Sequence, residues 1–204
     1  ANPYARVTWA SHVDLKTGRP VELPGARFTV DKAAVVAPST TGAHNWMPMA
    51  FSPQTGLVYI PAIDFEARFQ ELPGPWQPAT DHTIGGAQMV SGGPGAGMRK
   101  ATGSLLAWSP LTGKPAWSVP HPTFLNGGIL ATGGGLVFQG AIDGRITAYA
   151  AQSGKVLWRF DGGAPIMAAP ITYQAQGRQL VTIITGTGMG IAPYASSMVG
   201  PEIE

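Results

Sequence analysis

The sequence contains no cysteine. Disulfides, thiolate zinc sites and a Cys-x-x-Cys-His haem attachment are therefore excluded within these residues. Charge is scarce too: 12% of the 204 residues are charged, and 13 basic against 11 acidic side chains leave a net charge of only +2. So small and scattered an excess does not make the basic footprint that a phosphate backbone requires, so nucleic acid is not an expected partner. Long apolar runs are missing as well. Stretches such as Gly135 to Phe138 and Leu180 to Ile184 fall far short of the roughly 20 residues a membrane-spanning helix needs. No stretch longer than a couple of turns carries a helical period.

What the sequence has is hydrophobic residues, 44% of the total, and turn formers, 28 Gly and 19 Pro. These punctuate short apolar runs without a collagen period or low-complexity repetition, and so predict an ordered chain of many short strands. The first residues, Ala1-Asn2-Pro3-Tyr4-Ala5, have neither an initiating Met nor a basic-then-apolar leader, and read as a cut into a longer chain.

Four segments repeat one pattern, a strand-like run leading to a polar turn that ends in Thr or Ser and Gly: Asp14 to Gly18, Ser52 to Gly56, Ser109 to Gly113 and Ala151 to Gly154. The turn glycines at 18, 56, 113 and 154 lie 38, 57 and 41 residues apart. Spacings near 40 match one four-stranded propeller blade, in which such a glycine supplies the positive φ of a hairpin turn. The longer middle interval is expected to hold a loop insertion of about 64–100, rich in glycine and without strand period.

Asp143-Gly144, between the β-branched and aromatic runs 136–140 and 145–149, is a strong hairpin signal. Leu180 to Thr185 reads as a further strand. Trp117 and Trp158 each follow a turn glycine by four residues, and a repeated aromatic at a fixed place is expected to pack between neighbouring sheets. The expected fold class is all-β, a partial β-propeller.

Three stretches carry a resemblance: Val7 to Pro20, GAHNWMPMAFSPQTGLVYIPA at 42–62, and NGGILATGGGLVFQGAIDGRITAYAAQSGKVLW at 126–158, with Ala168 to Tyr173 continuing it. Together they resemble the C-terminal part of the pyrroloquinoline-quinone (PQQ) dependent alcohol dehydrogenases, the quinoproteins and quinohaemoproteins. The resemblance implies that residues 1–204 form the C-terminal blades of a single eight-bladed propeller, with the remaining blades on a preceding segment. It also implies PQQ and calcium near the propeller axis, a periplasmic location, and oxidation of an alcohol with electrons passed to a cytochrome or quinone acceptor.

The family's general base, calcium ligands and adjacent Cys pair have no counterpart here, so no catalytic and no metal-binding residue is assigned, and this chain alone is expected to be inactive. The resemblance places the cofactor-binding side at Asn45, Trp46, Asn126 and Gly127. An Asn amide suits a planar group edged with carbonyl and carboxylate oxygens, and Gly127-Gly128 would let backbone approach a flat ligand. Without the resemblance, Asn45 reads as a residue bonding its local backbone and Trp46 as structural. His44 reads as a satisfied core histidine. The sequence departs from the family's Trp-Asn-Gly-Gly with Leu125, and from its Gly-Trp-Gly-Gly with Gly186-Thr187-Gly188, removing two aromatics from the expected pocket.

Asp64, Glu66 and Asp81 read as solvated loop charges and Asp143 as a turn residue, leaving no carboxylate pair for acid–base work. The competing reading is a non-catalytic propeller segment serving as a scaffold or binding module. Such a module would share the blade signature but would not be expected to carry His44-Asn45-Trp46.

Overall fold

The computed structural model describes residues 2–74, 87–91 and 98–186. Fifteen strands and no helix are found among them: β1 (Ala10–Val13), β2 (Pro20–Glu22), β3 (Ala34–Val36), β4 (Ala50–Ser52), β5 (Leu57–Asp64), β6 (Ala67–Glu71), β7 (Ala87–Ser91), β8 (Thr102–Ser109), β9 (Lys114–His121), β10 (Asn126–Ala131), β11 (Leu136–Ala141), β12 (Arg145–Ala150), β13 (Val156–Asp161), β14 (Ile171–Ala175) and β15 (Arg178–Thr182). The pairings β1–β2, β3–β6, β4–β5, β6–β7, β8–β9, β10–β11, β11–β12, β12–β13 and β14–β15 are antiparallel. No helix among the described residues is long and apolar enough to cross a membrane.

The chain divides into two compact units. The first comprises Ala1–Ala43 and Asp64–Ala101, the second His44–Ile63 and Thr102–Glu204. The first unit contains the β1–β2 hairpin and a three-stranded sheet in the order β3-β6-β7. Within it, Phe28 stacks on Phe69 with ring centroids 5.7 Å apart.

The second unit is built on two four-stranded sheets, β4-β5-β8-β9 and β10-β11-β12-β13, followed by the β14–β15 hairpin. Alternation along the strands explains how the first of these sheets is buried on both faces. Leu57, Tyr59, Leu105 and Ala107 point to one side, where they meet Ile129, Val137, Tyr149 and Ala151 of the second sheet. Ile60, Ala62 and Leu106 form a cluster on the other side, with Val58 and Trp108 against them. Burying a Leu, Ile or Val side chain contributes about 1.5–3 kcal/mol, so this facing pair of sheets is the main source of stability in the unit.

All four repeated turns adopt one geometry. The glycine N–H donates to the carbonyl four residues earlier, Gly18 to Asp14 (2.8 Å), Gly56 to Ser52 (2.9 Å), Gly113 to Ser109 (2.8 Å) and Gly154 to Ala150 (2.8 Å). Each glycine has a positive φ, +69°, +67°, +63° and +69° in turn, a region that costs an L-residue roughly 1–2 kcal/mol. The Asp143-Gly144 hairpin also forms, joining β11 to β12 with Gly144 at φ +85°.

The expectation that each repeated turn glycine marks a separate blade does not hold. Gly56 closes the β4–β5 turn and Gly113 the β8–β9 turn, so both lie in one sheet. Gly113 and Gly154 are the true equivalents: both join a third strand to a fourth, and both are preceded by the same register shift, between Ala107 and Trp108 in one sheet and between Ala148 and Tyr149 in the next. Their separation of 41 residues is the repeat. Gly56 and its equivalent, Gly135 in the β10–β11 turn, are 79 residues apart, and the excess of 38 over the repeat is the inserted segment.

That segment also departs from the loop expected at 64–100. Its described part contains β6 and β7, paired from Ala67↔Ser91 to Glu71↔Ala87, so the excursion between β5 and β8 contributes two strands to a separate sheet. The glycines at 85–97 masked a strand of only five residues.

Candidate functional site

In the segment before β4, Met47 is buried, while Asn45 is exposed and Trp46 is 55% exposed. The Asn45 Oδ1 accepts the Trp46 backbone N–H at 2.8 Å, which fixes the turn that holds both side chains outward. His44 is half-buried, with Nδ1 donating to the Pro61 carbonyl at 3.3 Å, in keeping with a satisfied core histidine.

Asn126 and Gly127 stand differently. Asn126 is 3% exposed. Its Nδ2 donates to the Thr123 carbonyl (2.9 Å) and its Oδ1 accepts from the Thr123 hydroxyl (3.2 Å). A Cβ at Gly127 would lie 2.6 Å from the Ile166 carbonyl oxygen, and one at Gly128 would lie 2.6 Å from Pro48 Cδ. Protein atoms therefore fill the space beside these glycines, and the reason for glycine here is close packing of chain on chain. Leu125, where the family carries Trp, is buried.

The two sequence motifs are nevertheless brought together. Ile129 N–H donates to the Pro48 carbonyl at 3.0 Å, so the strand that begins Asn126-Gly127-Gly128 is laced to the segment that displays Asn45 and Trp46. Gly128 N–H reaches the Met167 carbonyl at 3.4 Å from the opposite side. Asn45 and Trp46 are thus the exposed pair, and Asn126 and Gly127 belong to the packed frame beneath them.

Sequence reasoning missed the polar support of this frame. Gln139, on β11 and 2% exposed, donates from Nε2 to the Gly127 carbonyl at 3.0 Å. Its Oε1 lies 3.0 Å from Nε2 of His121, at the end of β9. Burial pushes the His121 pKa down, with the Gln139 bond and Asp143 acting weakly in the other direction. A Gln at an inward position of a strand was the available signal, since an apolar residue would ordinarily stand there.

The reading of the acidic residues needs one correction. Glu66 is not a solvated loop charge: its side chain is 7% exposed and accepts from the Arg6 guanidinium and the Arg99 backbone N–H. These bonds hold the Glu66 pKa below its usual value, the Arg99 N–H being the largest influence. Asp64 joins the network at 3.3 Å from Arg6 and 3.4 Å from Arg99. Asp143 is the expected turn residue, accepting the Arg145 N–H at 3.1 Å. Asp81 and the 187–190 part of the second departure from the family pattern lie outside the described residues.

Among the described residues no cluster of three or more His, Asp or Glu has the arrangement of a metal site. A groove of about 410 Å³ in the first unit is lined by Trp9, Phe28, Val36 and Phe69 with the Glu22–Arg27 pair, and contains none of the expected site residues.

Facing antiparallel four-stranded sheets with a repeated glycine turn define part of a β-propeller, and comparison with known proteins agrees. The PQQ family model, described as the glucose/ethanol/alcohol dehydrogenase β-propeller domain, matches residues 99–181. Quinohaemoprotein alcohol dehydrogenase ADH IIB of Pseudomonas putida is 44% identical over 200 residues, covering 94% of this chain and 27% of its own length. The quinohaemoprotein alcohol dehydrogenase of Comamonas testosteroni is 40% identical over 210 residues, 98% of this chain and 29% of its own. The crystal structure of the Comamonas testosteroni enzyme superposes with a TM-score of 0.80 at 38% identity, covering 90% of this chain and 28% of that one. A europium-containing methanol dehydrogenase gives the same TM-score at 29% identity, over 94% of this chain and 34% of that one.

In sequence and in fold, the chain is similar to the PQQ-dependent quinoprotein and quinohaemoprotein alcohol dehydrogenases. It spans 27% and 29% of the length of the two curated relatives above.

Proposed function

We propose that this chain is the C-terminal part of a periplasmic PQQ-dependent dehydrogenase that oxidises an alcohol and passes the electrons to a cytochrome or quinone acceptor. The observation that carries the reading is the exposed pair Asn45 and Trp46, held outward by a local turn and tied through Pro48 to the glycine-rich start of β10. An exposed indole offers a flat apolar face to a planar ring system, and an adjacent amide offers hydrogen bonds to carbonyl or carboxylate oxygens at its edge. The chemistry of these residues fits PQQ.

When bound, the quinone supplies a two-electron acceptor for the alcohol carbon. Asn45 and Trp46 orient it, and the Asn126–Gly127 frame fixes where that pair stands. The base and the calcium ligands belong to the remaining blades, which would precede this chain. A place for further propeller also fits the second sheet. Trp158, the equivalent of the packed Trp117, is 50% exposed and stacks on Phe160 at 5.9 Å, on the face turned away from the first sheet. Ile171 and Tyr173 on β14 are exposed as well.

The test is reconstitution of the full-length protein with PQQ and calcium, reading quinone absorbance and dye-linked alcohol oxidation. Stoichiometric PQQ with alcohol-dependent dye reduction is expected. Asn45→Ala should weaken PQQ binding by about tenfold for a lost hydrogen bond to a charged oxygen, and Trp46→Ala should weaken it through loss of the apolar face. Failure of the full-length protein to bind PQQ overturns the reading. The buried Leu125, in place of the family's indole, favours the alternative of a non-catalytic propeller scaffold, and the same failure would support it.

A further inference from the structure

Gly127 lies where the pairing of β10 with β11 breaks. Asn126 is opposite Ala141 and Ile129 is opposite Gln139, with a register shift between them, so the ladder leaves the Gly127 carbonyl without a strand partner. A buried carbonyl in that position needs another donor, and Gln139 Nε2 supplies it at 3.0 Å. With its amide N–H group committed to Gly127, Gln139 must face His121 with Oε1, an acceptor, so His121 carries its proton on Nε2 and donates across 3.0 Å. The relay starts on the last strand of the first sheet and ends at the bulge in the second.

We infer that Gln139, held by His121, is a positioning residue for Asn126-Gly127-Gly128 and, through Pro48, for Asn45 and Trp46. The peptide between Gly127 and Gly128 is gripped at both ends, its carbonyl by Gln139 and its N–H by Met167. The next N–H, of Ile129, holds Pro48. Releasing the carbonyl lets this peptide plane turn, and with it the Ile129–Pro48 backbone bond that ties β10 to the segment displaying the exposed pair. The side chain serves this role by being an amide: a carboxylate cannot donate to Gly127, and an aliphatic chain can neither donate to it nor accept from His121.

The inference rests on the proposed cofactor role of Asn45 and Trp46, and its test separates the two. Full-length Gln139→Leu, Gln139→Glu, His121→Phe and His121→Gln variants are compared with wild type. Hydrogen exchange of the amides at 128–129 is read without cofactor, and PQQ affinity and the spectrum of bound quinone are read after reconstitution. Both Gln139 variants should speed exchange at Gly128 and Ile129 while leaving 156–161 unchanged, weaken PQQ binding about tenfold and shift its spectrum. His121→Phe should do the same to a smaller extent, and His121→Gln, which keeps a donor, should restore wild-type behaviour.

Unchanged exchange at 128–129 in Gln139→Leu overturns the inference, as does a uniform rise across the whole sheet, which would mark a merely structural residue. For Gln139→Glu and His121→Phe the same two outcomes apply, should Gln139→Leu fail to fold. Absence of PQQ from the wild type would overturn the cofactor role alone, because the exchange readout requires no quinone.

Discussion

The indole of Trp117 lies against the backbone of Gly154, so close that a Cβ on that glycine would sit 2.6 Å from Trp117 Cε3. The same indole donates from Nε1 to the Ala151 carbonyl at 3.0 Å. One tryptophan of the first sheet therefore closes on the turn of the second through both packing and a hydrogen bond.

Gly154→Ala should consequently be far more destabilising than Gly56→Ala. Both glycines have positive φ, but a Cβ at Gly56 meets nothing within 4 Å. Gly56→Ala should cost only the backbone term of about 1–2 kcal/mol. Gly154→Ala adds displacement of a ring, of about 1–3 kcal/mol. Urea unfolding of the two full-length variants checks the difference.

The Ala151 carbonyl also accepts from the Tyr59 hydroxyl at 3.0 Å. Trp117 and Tyr59 pack against each other, with ring centroids 5.7 Å apart. Tyr59→Phe and Trp117→Phe each leave one donor on that carbonyl, and each should cost about 1 kcal/mol from its lost hydrogen bond. Removing both donors orphans a buried acceptor, so the double variant should exceed the sum by about 0.5 kcal/mol or more. A double-mutant cycle measures the coupling, and strict additivity would contradict it.

Acid should weaken the fold through two groups. The His121 pKa is lowered from its ordinary value of 6.5, chiefly by burial. Below pH 6.5 the unfolded chain binds a proton that the folded chain refuses, so stability falls as pH drops from there toward the folded pKa. Glu66, whose pKa is lowered from 4.5, contributes stability above that pH and loses it as pH falls through the folded value. Thermal midpoints between pH 7 and 3 should fall in both ranges. His121→Gln should flatten the upper range only, and Glu66→Gln the lower range only.

Glu66→Gln should also destabilise at neutral pH. Its carboxylate satisfies the Arg6 guanidinium and the Arg99 N–H, and removal of one partner from a buried ion pair is costly, of the order of 3 kcal/mol. A thermal midpoint equal to wild type at pH 7 would show that the network carries no net stability.

The turns, the Asp143-Gly144 hairpin and the packing of Trp117 were legible because each is set by a few adjacent residues. A glycine required at positive φ leaves its mark in sequence whatever surrounds it. Membership of a sheet is a long-range property, and so the spacing from Gly56 to Gly113 read as one unit plus an insertion when both turns belong to one sheet. At the site, Asn45 and Trp46 were singled out by the resemblance, but the exposure of Trp46 was not legible from the residues. The burial of Asn126, satisfied by Thr123, and the Gln139 support of Gly127 were not legible either, because both depend on what the register shift in β10 brings near. Glu66 looked solvated for a similar reason, since Arg6 lies 60 residues away in sequence.

The excursion between β5 and β8 sets the order in which the two sheets can be assembled. In the second sheet every neighbouring pair is joined by a short turn, whereas in the first, β5 must wait for a strand that begins after residues 65–101. Closing a loop of that length costs about 2 kcal/mol more chain entropy than closing a four-residue turn, on the logarithmic scaling of flexible loops. The second sheet can therefore form from local contacts. The first needs its two hairpins, β4–β5 and β8–β9, brought together by a pairing distant in sequence, which makes it the sheet of higher contact order.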